Sequence, residues 1–172
     1  MGQPSMRRRC AFLDRDGVIN VAPPPGDYLR HWGEFRLLPP VIDWIRIFNA
    51  LDFLVVVVTN QRGVARGLMT LDDLLAIHRH MLDVLAREGA RIDDVLYCPH
   101  ESDSCACRKP LPGMVHEAQR RWDIDLGGSL LIGDSEVDRQ LAVNCGLRFL
   151  RADGGRIVEF VRPGAAAAPP LP

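Results

Sequence analysis

Phe12-Leu13-Asp14-Arg15-Asp16-Gly17-Val18 closes a short apolar run with two carboxylates spaced two residues apart. If Cys10–Leu13 is a strand, Asp14 and Asp16 leave its carboxyl end on one side while Arg15 points the other way. Gly17 permits a sharp turn that keeps both acids at an open edge rather than in a core. One carboxylate in such a pair can attack while its neighbour handles a proton. A polar turn closing a strand would use the same residue types, so the rest of the chain has to decide.

Outward from that stretch, apolar runs of strand length alternate with helical patterns. A Pro/Gly-rich loop at Pro23–Gly26 precedes a helix expected over Pro40–Ala50, with Val41, Trp44, Ile45 and Phe48 at helical spacing. Leu54–Val58 is a continuous, mostly β-branched run, as expected of a strand buried on both faces of a parallel sheet. Thr70 with the early acids Asp72 and Asp73 opens a helix whose stripe is Leu74, Ile77, Met81, Leu82 and Leu85, and Gly89 ends it. Strands follow at Val95–Tyr97, Leu130–Ile132 and Arg148–Leu150, with helices at Pro112–Trp122 and Glu136–Asn144. This βαβ alternation predicts an α/β fold, a parallel sheet wrapped by helices, with ligands bound outside the carboxyl ends of the strands.

The chain has 172 residues, a length that predicts one domain over residues 1–163, followed by a low-complexity, disordered tail at 164–172. With 21 basic and 22 acidic residues, the overall charge calls for neither nucleic acid nor an anionic membrane. The basic cluster at Met6–Arg9 is brief, and no apolar run approaches a membrane span of roughly 20 residues. A cytoplasmic, monomeric protein is the expectation. Five cysteines suit a reducing compartment better than a disulfide framework.

Under that topology three strand ends deliver polar residues to one rim: Asp14 and Asp16, then Thr59, Asn60 and Gln61, then Gly133 and Asp134. The Thr59 hydroxyl and Lys109 suit phosphoryl oxygens. Three carboxylates with a substrate phosphate suit a hard cation such as Mg²⁺. The combination of Asp14-Arg15-Asp16, Thr59, Lys109 and Gly133-Asp134 with Asp138 resembles the haloacid dehalogenase (HAD) superfamily of phosphohydrolases. The longer strings FLDRDGVIN, VVVVTNQRGVARG, CPH…CACRKPLPGM and IGDSEVD resemble its branch of heptose-bisphosphate and histidinol-phosphate phosphatases.

The resemblance implies a HAD-like Rossmannoid three-layer fold without a sizeable cap domain, since no large insertion separates Asn20 from Thr59 or Thr59 from Lys109. It also implies a phosphomonoester hydrolase with Asp14 as nucleophile, Asp16 as acid and base, and Thr59 and Lys109 on the phosphoryl oxygens. Mg²⁺ would be held by Asp14, the Asp16 carbonyl and Asp134, and Asn60, Gln61, Arg62 and Arg108 would line the substrate pocket. The implied reaction removes the C7 phosphate of D-glycero-D-manno-heptose 1,7-bisphosphate, with Arg62, Arg66 and Arg108 as cations for the second anionic group. Alternatives are histidinol phosphate, another small sugar phosphate, or an inactive zinc-stabilised binding module. A phosphatase of nucleic-acid ends would want a basic, aromatic track that is absent from this sequence. Two departures from the heptose-enzyme pattern, Ala22–Tyr28 and Ser135, fall at the expected substrate mouth.

Cys98-Pro99-His100 followed by Cys105-Ala106-Cys107 forms a Cys₃His set, the chemistry of tetrahedral structural Zn²⁺. Loop thiols or a disulfide are the bland alternative. Zinc would stand in for a missing local core and hold Arg108 and Lys109 at the rim. His78 and His80 are two apart on a helix and are expected at the surface. Cys10 and Cys145 read as small buried apolar residues rather than nucleophiles. Trp32, Trp44 and Trp122 read as packing residues.

Overall fold

A computed structural model of the protein describes residues 7–161. Met6, the expected domain boundary at 163 and the 164–172 tail lie outside the described residues.

Six strands form one sheet in the order β3-β2-β1-β4-β5-β6. They are β1 (Cys10–Leu13), β2 (Leu54–Asn60), β3 (Asp94–Cys98), β4 (Leu130–Gly133), β5 (Arg148–Asp153) and β6 (Arg156–Val161). β1 lies at the centre, parallel to β2 in the register Cys10↔Leu54 and to β4 in the register Ala11↔Leu130. Its position explains its composition: Cys10, Ala11, Phe12 and Leu13 are all fully buried, as are Leu54–Val58 beside it. Alternation along the strands sends Ala11, Leu13, Val55 and Val57 to one face and Cys10, Phe12, Leu54, Val56 and Val58 to the other. Helices α1 (Pro40–Ala50) and α2 (Leu71–Arg87) cover the first face through Val41, Ile45, Ile77, Met81 and Leu85. The second face is covered by α3 (Gly113–Trp122) and α4 (Glu136–Cys145) through Met114, Val115, Ala118, Leu141 and Ala142. The result is the expected three-layer α/β fold, with no inserted cap among the described residues.

One strand escaped the sequence reading, which stopped at Leu150. β5 runs on to Asp153, and β6 returns antiparallel to it through Gly154-Gly155, so the sheet is not wholly parallel. Both glycines have positive φ, 52° and 79°, as a tight turn between right-twisted strands demands. Arg7–Arg9 do not form a free basic arm: Arg7 and Arg8 face Asp123 and Asp52, and Arg9 lies over the Phe53 ring.

Helix starts carry the chemistry toward the rim. Thr70 and Asp73 cap α2 reciprocally, and Ser135 and Asp138 do the same for α4. The second box fixes a carboxylate one turn beyond the end of β4, under the site.

Candidate functional site

The ends of β1, β2 and β4 meet at a cleft of about 340 Å³ lined by Asp14, Asp16, Thr59, Asn60, Gln61, Arg62, Arg108, Lys109, Asp134 and Ser135. The loop Ala22–Leu29 forms the facing wall. Eight of the nine residues expected for catalysis or substrate contact therefore reach one place, and Arg66 is the one that does not line it.

At its floor Lys109 is 4 % exposed, and its ammonium lies 2.8 Å from Asp14 Oδ1 and 2.6 Å from Asp138 Oδ1. Burial works against that charge, but the two carboxylates raise the Lys109 pKa. Asp14 Oδ1 also accepts from the Arg15 amide at 2.7 Å, which leaves Oδ2 without a protein partner among the described residues. Burial, opposed by Lys109 and reinforced by Asp138, pushes the Asp14 carboxyl up to about 7. Burial and then Asp138 push Asp134 up to about 6. Backbone close approach shapes this cluster. A Cβ on Gly17, whose φ is 86°, would collide with the Asp134 carboxylate, and one on Gly133 would collide with Asp138.

Oxygen atoms of Asp14, Asp134 and Asp138 lie within 4.8 Å of one another. This crowding of acids, with two pKa values raised, fits a hard divalent cation. Asp138 is nonetheless committed elsewhere: Oδ1 takes Lys109, and Oδ2 accepts from the Ser135 hydroxyl at 2.5 Å. Asp14 and Asp134 are thus the carboxylates left for the cation. Asp138, quoted in the motif but given no role, is the residue through which Lys109 and α4 are joined to the site.

Asp16 is held from behind. Arg15 Nε and Nη2 donate to Oδ1 at 3.1 and 2.9 Å, and Nη2 also donates to Oδ2 at 2.9 Å. Asn20 adds a bond at 2.9 Å and Gln61 one at 3.0 Å. Burial raises the Asp16 pKa, but Arg15 and these hydrogen bonds outweigh it and hold the carboxyl below its ordinary value. Arg15 therefore does not point away from the acid pair. It is fully buried, and its guanidinium turns back to Asp16. Its Nη1 meets His78 Nε2 at 3.4 Å, so His78, expected at the surface, is a core residue with 4 % exposure. The signal was present: His78 lies four residues after Leu74 and three before Met81, on the buried stripe. His80 is exposed and stacks on Trp32.

Thr59 Oγ1 accepts from Gln61 at 2.8 Å, and the Asn60 side chain both donates to and accepts from the Lys109 backbone, at 3.1 and 2.9 Å. Arg62 and Arg66 are not free cations. Both bind Glu101, at 3.1 and 3.0 Å, and Arg62 also donates to the Tyr28 hydroxyl at 3.1 Å. Arg108 differs, because its Nη1 is buried and has no partner among the described residues.

The second cluster lies beside the first. Cys98 Sγ is 3.6 Å from His100 Nδ1 and 3.5 Å from Cys105 Sγ, while Cys107 Sγ is 3.2 Å from His100 Nδ1 and 3.4 Å from Cys105 Sγ. A tetrahedron with metal–sulfur bonds of ~2.3 Å has edges of ~3.8 Å, close to these spacings. Burial acts to raise the Cys105 thiol, yet the Arg108 amide and the neighbouring thiols pull it down to about 6, toward thiolate. Cys10 is fully buried and Cys145 half-buried, away from this group.

A family model described as HAD-hydrolase-like matches residues 106–156. The chain is 42% identical over 164 residues to the D-glycero-β-D-manno-heptose-1,7-bisphosphate 7-phosphatase of Rhodopseudomonas palustris, covering 91% of this chain and 89% of that one. It is 46% identical over 137 residues to the D-glycero-α-D-manno-heptose-1,7-bisphosphate 7-phosphatase of Mycobacterium bovis, covering 78% and 72%. The crystal structure of D,D-heptose 1,7-bisphosphate phosphatase from B. bronchiseptica, complexed with magnesium and phosphate, matches with a TM-score of 0.79 and 37% identity over 91% of this chain and 92% of that one.

Proposed function

The chain belongs to the HAD-type phosphatases, in the family of the heptose-1,7-bisphosphate 7-phosphatases, and from that premise we propose that it removes the C7 phosphate of D-glycero-D-manno-heptose 1,7-bisphosphate. The observation that carries this reading is the arrangement of Asp14. One of its oxygens is bound by Lys109 and the Arg15 amide, and the other is free at the floor of a cleft sized for a small sugar phosphate.

In the proposed reaction Asp14 Oδ2 forms a bond to phosphorus as the bond from phosphorus to the C7 oxygen breaks, giving an aspartyl-phosphate. Asp16 gives its proton to the departing alkoxide. That proton is acquired as the phosphate arrives, because a nearby anion raises a carboxyl pKa. Asp16 then takes a proton from the water that attacks phosphorus, and Asp14 is released with inorganic phosphate. Thr59 and Lys109 bind the equatorial oxygens throughout. Mg²⁺, placed by Asp14, Asp134 and the Asp16 carbonyl, would neutralise the charge gathering on those oxygens.

Among the pocket arginines, Arg108 supports recognition of the second phosphate best, because its buried Nη1 lacks a partner among the described residues. Arg62 acts as a strut between loops, its charge already met by Glu101. Asn60 supports the Lys109 segment, and Gln61 ties Thr59 to Asp16. Cys98, His100, Cys105 and Cys107 fit a structural Zn²⁺ with no open coordination position.

The test is steady-state kinetics with Mg²⁺ on the α- and β-anomers of the heptose bisphosphate, with histidinol phosphate as comparator. The expected result is a higher kcat/KM for one heptose anomer. Both anomers need measuring, because relatives named for each match this chain. A higher kcat/KM on histidinol phosphate would overturn the sugar assignment.

A further inference from the structure

Arg15 is among the largest fully buried side chains of the described residues, and the steps above give it no role of its own. Arginine has five N–H donors and no acceptor, so burying it requires acceptors on every side. Asp16 supplies them for Nε and Nη2. On the far side of the guanidinium, Nη1 has His78 Nε2 at 3.4 Å. Without the imidazole a buried cationic N–H would lose its partner, a costly loss.

His78 reaches this position from α2, which packs on the sheet through Leu74, Ile77 and Met81. Its ring rests at a tilt against Tyr97 of β3, with centroids 5.6 Å apart. Because arginine can only donate, the contact requires a lone pair on Nε2 and hence the proton on Nδ1. His78 does not line the cleft, so it touches neither substrate nor cation.

We propose that His78 is a positioning residue for phosphate hydrolysis: by holding Arg15 from α2, it fixes the direction in which Asp16 presents its carboxyl to the cleft. This rests on the reading of Asp16 as the proton-transfer group. A carboxyl held by a fork has one orientation, and proton transfer depends on orientation within a few tenths of an ångström. Removal of the imidazole releases Arg15 Nη1 to seek another acceptor, and the fork turns with it.

The experiment compares His78→Leu, which fills the space without an acceptor, with His78→Gln, whose amide oxygen can accept from Arg15. Turnover is measured on any phosphomonoester that the wild-type protein hydrolyses, so a wrong sugar assignment leaves the test intact. For His78→Leu, kcat should fall about tenfold with KM within about twofold of wild type, and His78→Gln should recover most of the loss. In an Asp16→Asn background, His78→Leu should cost nothing further, because the group it positions is already gone. Unchanged kcat in His78→Leu, kcat and KM lost together, a His78→Gln protein as impaired as His78→Leu, or an undiminished cost in the Asp16→Asn background would each overturn the proposal. Should His78→Leu fail to fold, as judged by circular dichroism, Arg15→Lys replaces it. Lysine keeps the buried charge but cannot fork Asp16, so the same fall in kcat at constant KM is expected, and wild-type kcat would overturn the proposal.

Discussion

At the rim, Asp14 from the end of β1 meets Asp134 and Asp138 from the end of β4 and the first turn of α4, about 120 residues further along the chain. In the neighbouring loop, Cys98, His100, Cys105 and Cys107 come from a single short stretch with no strand after Cys98. The rim is backed by fully buried strands, and its negative charge is offset by Lys109 inside the protein itself. The loop touches the core only through its cysteines, Cys98 within it and Cys105 and Cys107 packed against it, and of the four candidate ligands only Cys98 is fully buried. Oxygen donors at the rim are thus placed by the fold itself, whereas a Zn²⁺ on the sulfur and nitrogen donors would add the cross-links that the short loop does not make through packing alone.

The largest effect expected from that contrast is at Asp14. Asp14→Asn should lower turnover by at least ~10³-fold, because an amide keeps the shape but cannot attack phosphorus. Zinc content by elemental analysis should stay at the wild-type level, since the loop does not draw on the rim. Activity near wild type would sink the nucleophile assignment, and loss of zinc would erase the independence of the two regions.

Next in size is the reverse experiment. Cys105→Ser should lose the zinc, lower the melting temperature and reduce kcat/KM by roughly 10-fold with Mg²⁺ saturating. The loss has a route: Arg108 and Lys109 follow Cys107 directly, and Gly113 packs so closely against Ala106 that no side chain fits there. A zinc-free variant with full kcat/KM would mean that the Asn60 hydrogen bonds to Lys109 hold the loop without the metal.

How far these regions could be read in advance depended on the range of their interactions. The buried strands were legible because Leu54–Val58 and Phe12–Leu13 leave few other places for such side chains. The convergence of Asp14, Thr59 and Asp134 followed from topology, since parallel strands end on one side. β6 was missed although Gly154-Gly155 is a hairpin signal, because Arg156–Val161 does not alternate apolar with polar residues. Its side chains are largely exposed, so little burial pattern was imposed on it. The long-range pairings of Arg15, Arg62 and Arg66 were not legible. Glu101 and His78 lie 35 or more residues away along the chain, and nothing local marks a charge that will find its partner across a fold.

A smaller effect distinguishes the two regions by pH. Burial and Arg15 lower the His78 pKa to about 3, against an ordinary value near ~6.5. The unfolded chain therefore binds a proton that the folded chain refuses as pH falls below ~6.5, and stability falls with it. At pH ~5.5 the penalty is on the order of 1 kcal/mol, absent above pH ~7.5. Arg15, Tyr97 and, more distantly, Asp16 are the polar groups facing the ring. Denaturant unfolding of wild type and His78→Gln at both pH values measures the difference. The Gln variant should lose less stability on acidification, and parallel losses would show that His78 accepts its proton in the folded state.

The smallest effect lies where the two regions touch. Glu101, next to His100 in the cysteine loop, grips Arg62 and Arg66, and Arg62 in turn reaches Tyr28 on the proline-rich wall. Hydrogen bonding from Arg66, with help from the Ser102 amide and Arg62, pulls the Glu101 carboxyl down to about 2, so it is ionised under any working condition. The pairs are partly exposed, so water screens them and each contributes little. Glu101→Gln should therefore leave zinc content and kcat unchanged and raise KM by about threefold, as the wall formed by Ala22–Leu29 loses its tie to the loop. Tyr28→Phe should do the same, and the double variant should be no worse than either alone, because both act through Arg62. Additive effects would mean that the two side chains shape the cleft separately. In that case the metal loop would meet the substrate only through Arg108 and Lys109.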